Sequence, residues 1–135
     1  MAELETGLYA KLAADGTVAG LVGTRIYPDT APQAVTYPCI VYQRIGADRA
    51  HHITGASGAS GVLVQVVCLA STWTAARAVA AAVRACLDAQ RGMWGAVDVI
   101  SCYIQNEMDT LDASPESDAR RLYGTQQDYE IWHRE

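Results

Sequence analysis

At 135 residues the chain has room for one ordinary domain, and that length can bury roughly two-thirds of the surface its unfolded form exposes. Half the residues are hydrophobic and 19% charged, the proportions of a globular protein with its own core. A net charge of −5 lacks the basic footprint with which a general DNA binder offsets phosphate.

In chain order, residues 3 to 14 read as an amphipathic helix, because Leu4, Leu8 and Leu12 recur at i, i+4 and i+8. Gly16 and Gly20 are expected to break it. Arg25-Ile26-Tyr27-Pro28 is a short extended piece, and Pro28, Pro32 and Pro38 hold the next segment out of helix. Residues 39 to 45 are β-branched and aromatic and form the first clear strand. A long connection is expected at 46–61, with Gly46, Gly55, Gly58 and Gly61 and the low-complexity run Gly55-Ala-Ser-Gly-Ala-Ser-Gly61. The second strand, Val62 to Leu69, is mainly apolar on both faces. Such a strand is usually central and covered on each side; helices and a neighbouring subunit are the candidate covers.

Residues 72 to 90 carry the strongest helix signal, alanine-rich, with Ser71 or Thr72 as N-cap and Arg91-Gly92 as stop. Trp73, Ala76, Ala80, Val83 and Leu87 are expected to be buried, flanked by Val79 and Cys86. Strands follow at 97–104 and 121–133. In the latter, Tyr123, Thr125, Gln127, Tyr129 and Ile131 share one face, opposite Gln126, Asp128 and Glu130. Between them, 107–119 holds Glu107, Asp109, Asp112, Glu116 and Asp118 with no base. Connections this long tend to be functional or disordered, so both are expected to be flexible docking arms. The fold class is α+β: a single antiparallel (mixed) sheet with two helices packed on one face, in one domain spanning 1–135.

The chemistry is sparse. The Gly55–Gly61 run lacks the Lys of a phosphate loop and is followed by a strand rather than a helix. His51 and His52 are adjacent, and neighbours on an extended backbone point to opposite faces, poorly placed for one metal ion. Cys39, Cys68, Cys86 and Cys102 show no metal-ligand spacing, and each lies in an apolar run as a core thiol would. The acidic stretch 107–119 has no glycine, which an EF-hand calcium loop needs. No nucleophile elbow occurs. No enzyme, metal or cofactor is therefore expected. Phe is absent and the aromatics are seven Tyr and three Trp, which suit interfaces because each carries a polar tip. Trp132 and Tyr129 read first as core or sheet-edge residues, with Trp132 kept as a candidate anchor. The N-terminus, Met1-Ala2-Glu3-Leu4-Glu5, has no basic or apolar signal region, and no apolar stretch approaches the ~20 residues of a membrane span. A cytoplasmic product with no membrane role is expected.

Several segments together resemble a known family: Leu8-Tyr-Ala-Lys-Leu12, Arg25-Ile-Tyr-Pro28, Tyr37-Pro-Cys-Ile-Val-Tyr-Gln-Arg-Ile45, Val64 to Ala78 running on through Val83 to Leu87, Arg120-Arg-Leu-Tyr123, and Asp128-Tyr-Glu-Ile-Trp-His-Arg-Glu135. The chain is similar in these to the tail-completion, or tail-terminator, proteins of long-tailed phages and of phage-derived gene transfer agents. The resemblance spans nearly the whole chain; 55–61 and 107–119 depart from the family's pattern. It implies a structural virion protein, assembled in the host cytoplasm and placed at the head–tail junction. Copies would form a ring, commonly of six, that caps the tail tube and ends its growth. The implied partners are the chain itself, the major tail tube protein and a head–tail connector or neck protein, with DNA passing through unread. A head-completion or connector protein on the portal side is the alternative. The expected interface residues are Arg44, Arg49, His51, His52, Arg77, Asp109, Asp112, Glu116, Asp118 and Trp132, with the acidic stretch of one subunit meeting arginines of the next.

Overall fold

Leu4, Leu8 and Leu12 form a buried stripe along α1 (Leu4–Ala14). The computed structural model describes residues 4–29, 36–52, 55–113 and 121–134. Gly16 does not end the helical region: a second helix, α2 (Gly16–Val22), starts there. The Asp15 carboxylate caps it, accepting from the amides of Thr17 and Val18, each at 3.0 Å. Two glycines cost about 1 kcal/mol apiece in a helix, which the cap and the full burial of Val18 and Val22 offset. Among the described residues there are thus three helices rather than two.

The strands are β1 (Ile26–Pro28), β2 (Cys39–His52), β3 (Gly55–Ala70), β4 (Gly92–Trp94), β5 (Val97–Ala113) and β6 (Arg121–Arg134), with α3 (Trp73–Leu87) between β3 and β4. They form one six-stranded sheet in the order β1-β2-β3-β6-β5-β4. β1 runs parallel to β2, and every other pair is antiparallel. β3 is central, as its two apolar faces require. The stretches expected to be connections are largely strand: β2 continues to His52, β3 begins at Gly55 and β5 runs to Ala113. Ladder hydrogen bonds are backbone bonds, so a Gly/Ala/Ser or acidic sequence extends a strand when a partner lies alongside. Residues 114–120 lie outside the described part.

Thr72 caps α3, its hydroxyl accepting from the Ala75 amide at 3.2 Å. The helix ends at Leu87, before the expected Arg91-Gly92 stop, because the chain turns onto β5. The Ala89 amide donates to the Cys102 carbonyl at 2.7 Å, and the Ile104 amide to the Asp88 carboxylate at 3.0 Å. Ala89 adopts a left-handed φ of 59° to do so. Buried side chains of all three helices join Ile40, Tyr42, Val62, Val64, Val66, Cys68, Val97, Val99, Cys102, Tyr129 and Ile131 in one core. Trp73 is the exception to the expected stripe; at the first position of α3 it is exposed, 6.0 Å from the Arg77 guanidinium carbon.

Candidate interaction surfaces

Alternation along the strands gives the sheet a core face and an outer face. On the core face a polar layer locks α3 to β5 and β6. Gln127, fully buried, donates through Nε2 to the Ala80 carbonyl at 2.9 Å and to Glu107 at 2.6 Å. Its Oε1 accepts from the Tyr129 hydroxyl at 2.8 Å. Glu107 also accepts from Arg84 at 3.0 Å. One strand pair further on, Asp109 accepts from Arg77 and from the Thr125 hydroxyl, each at 3.1 Å. Arg77 and Arg84 stand two helical turns apart and Glu107 and Asp109 two strand residues apart, so the pairs lie side by side. Slight burial raises the Asp109 carboxyl, but the Thr125 hydroxyl and the Arg77 guanidinium outweigh it and hold it below its ordinary value of 3.8.

The four cysteines are all buried free thiols. Burial pushes Cys39 up to about 11 and Cys86 and Cys102 up to about 12, and drives Cys68 higher still. A thiol held so far from ionisation is a poor nucleophile. Among the described residues no three His, Cys, Asp or Glu are grouped to hold a metal ion, and no helix is long and apolar enough to cross a membrane. An open cleft of about 340 Å³ lies at the β1–β2 edge, lined by Glu5, Pro28, Asp29, Tyr42, Gln43 and Arg44.

The outer face is different. Leu63, Val67 and Leu69 of β3 are only half-buried there. Ile45, Ile100, Tyr103 and Met108 are exposed, Tyr103 to 55%. Trp132 lies over Gly61, its partner in the β3–β6 register; a Cβ on Gly61 would stand 2.6 Å from the indole. The indole nitrogen donates to Glu130 at 3.1 Å. Asp128 Oδ1 is buried with no donor among the described residues, an arrangement costly for a lone acceptor.

Two strand pairs outrun the sheet at opposite ends. β6 ends against Ala59, so Gly55 and Ala56 pair with β2 alone. At the other end β3 stops at Ala70 opposite Tyr123, and Asp112–Leu122 and Ala113–Arg121 pair beyond it. Arg49, His51 and His52 belong to the first arm and Asp112 to the second; their side chains lie outside the described part, as do Glu116 and Asp118 altogether. Within one chain Arg77 bonds Asp109, two residues expected at a subunit contact, and Arg44, a third, pairs with Glu5 at 3.3 Å. The two overhanging strand pairs and the Gln127 relay had no signal in sequence motifs; for the relay, the one hint was a Gln amid the apolar row of β6.

Compared with known proteins, residues 6–134 match the family described as tail completion protein gp17. Among solved structures, a chain of the virion of a native gene transfer agent particle superposes with a TM-score of 0.70 at 20% identity. The alignment covers 95% of this chain and 92% of that one, so the two share a fold. No curated protein sequence matches.

Proposed function

The chain belongs to the tail completion protein gp17 family, and from that premise we propose that it is a structural tail protein of a phage or gene-transfer-agent particle, whose copies close into a ring that caps the tail tube. The ring, six-membered as the family resemblance implies, ends tail elongation and offers its far side to the neck or connector of the head. DNA passes through without being read. The chain acts by assembly, with no chemistry of its own.

The observation that carries this reading is the family match over residues 6–134. The two arms at opposite ends of one sheet support it, because a joint between tube and neck needs a different contact at each end. The outer face supports it as well: exposed Ile45, Ile100, Tyr103 and Met108 together with the unpartnered Asp128 oxygen are what a surface completed by other subunits leaves bare. Of the interface residues expected from sequence, Arg49, His51 and His52 are assigned to one arm contact, Asp112, Glu116 and Asp118 to the other, and Trp132 to the outer face.

Electron microscopy of particles from a producing strain lacking this gene tests the proposal. Full heads beside separate tails, with tubes of abnormal length or ragged ends, are expected. Normal tails lacking only heads would move the protein to the portal side of the joint. Intact infectious particles would overturn the assembly role.

A further inference from the structure

Asp128 stands near the middle of the outer face, on β6, one of the two central strands. Through the register it lies between Gln65 of β3 and Asn106 of β5. At the next level of that face in one direction stand Leu63 and Tyr103, and at the next in the other Val67 and Met108. Apolar side chains thus mark four corners around a carboxylate, Tyr103 and Met108 exposed, Leu63 and Val67 half-buried. The Asp128 Oδ1 is shut off from water with no donor among the described residues, and an acceptor left so is costly. Glu130, exposed on the same face, adds a second negative charge. Arg134, next but one along that face from Trp132, is already paired with Asp98 at 3.0 Å. Such a patch fits a cation carried among apolar side chains, with the charged contact at its dry centre.

The chain itself carries that chemistry at the edge of the sheet. Met93 of β4 is 64% exposed, the most of any large hydrophobic residue described. Arg91, just before β4, is exposed too, and among the described side chains it is the one Lys or Arg with no partner. Lys11 lies over the Trp94 ring, Arg25 donates to two carbonyls, and Arg44, Arg77, Arg84 and Arg134 each pair with a carboxylate. On its own chain Arg91 is separated from Asp128 by β5, which stands between β4 and β6. β4 is also level with the end of β6, whereas Asp128 lies at mid-strand. A second copy that joins the two patches therefore crosses this sheet at an angle, edge over face, as packed sheets do. A head-to-tail contact needs two unlike patches on each copy, one given and one received. This chain holds both.

We propose that the β4 edge of one copy lies over the outer face of the next, Arg91 donating to Asp128 and Met93 packing among the apolar corners. The inference rests on the ring reading above and names the two patches that meet.

Disulfide trapping in assembled particles tests it, with Met93→Cys paired in turn with Tyr103→Cys and Asn106→Cys. All three sites are exposed, and the four native thiols are buried. At least one pair is expected to give, after mild oxidation, a ladder of covalent multiples of the chain on a non-reducing gel, absent from every single variant. Adding Arg91→Glu to that pair should abolish the ladder, while the purified variant keeps the native urea midpoint because Arg91 has no partner in its own chain. A ladder that survives Arg91→Glu would overturn the Arg91–Asp128 contact. Rings visible by microscopy with no ladder from either pair would overturn the edge-on-face contact and leave the ring standing. Adducts only with a different virion protein would likewise overturn self-pairing. Particles with no ring of this chain would overturn the ring reading and this contact with it.

Discussion

The two faces of β3 differ by one residue in sequence and by everything in surroundings. Val62, Val64, Val66 and Cys68 are buried within the core shared with the helices; Leu63, Val67 and Leu69, equally apolar, are only half covered. Apolar area is worth about 25 cal/mol per Å² when it leaves water, so the first row stabilises the single chain. The second leaves part of that gain unused in the single chain, which the association proposed above would take up. The difference shows why a strand greasy on both sides says only that both sides will be covered, and not that one chain does the covering.

A matched pair of aspartates breaks or sharpens this contrast most directly. Val66→Asp puts an unpaired carboxylate into the core and is expected to cost about 3–5 kcal/mol, enough to unfold many domains of this size. Val67→Asp, one residue on, should cost on the order of 1 kcal/mol while abolishing incorporation into particles. Urea midpoints give the first comparison and particle composition the second. Equal losses of stability for the two variants would mean that the outer face is already core.

A smaller effect is expected from Gln127, the polar member of the core face. Gln127→Leu leaves the Tyr129 hydroxyl without its acceptor and Glu107 Oε2 without the Gln127 donor, and should destabilise by about 2–3 kcal/mol. Adding Tyr129→Phe removes the stranded hydroxyl, so the double variant should be more stable than Gln127→Leu alone. A double variant less stable than the single one would show that the Tyr129 hydroxyl has another acceptor.

Much of this architecture is legible in the sequence wherever burial repeats with the period of an element. The Leu4/Leu8/Leu12 spacing places α1, and the alternation from Thr125 to Ile131 gives β6 its faces. Legibility fails where a partner, not a propensity, decides. Gly16 and Gly20 read as breakers, yet a capped, packed turn keeps them helical. Gly55–Gly61 reads as a flexible tip, yet β2 alongside holds it as strand, and Gly61 specifically makes room for the Trp132 ring. Trp73 fits the helical stripe but sits one turn too early to reach the core. The candidate contact surface was the least legible part. An unpaired strand edge is a property of sheet order, and sheet order is set by contacts between segments far apart in the chain.

The least energetic prediction concerns the acidic strand end. Arg77 and Asp109 pair across exposed surface, with 41% and 45% of their side chains accessible, so the bond contributes only about 0.2–1 kcal/mol. Its pH dependence has a definite sign. The folded-state carboxyl lies below 3.8, so the stabilisation is present above that value and fades as the pH falls through the depressed folded value. The stability gap between the native chain and Asp109→Asn should therefore be constant near neutrality and close below about pH 3.8, read from urea midpoints across the acid range. Salt should shrink it too, since exposed pairs are screened. No gap at any pH would mean that Asp109 acts through the Thr125 hydrogen bond alone, which asparagine keeps. Particle assembly should also survive Asp109→Asn, because its carboxylate is already satisfied within its own chain.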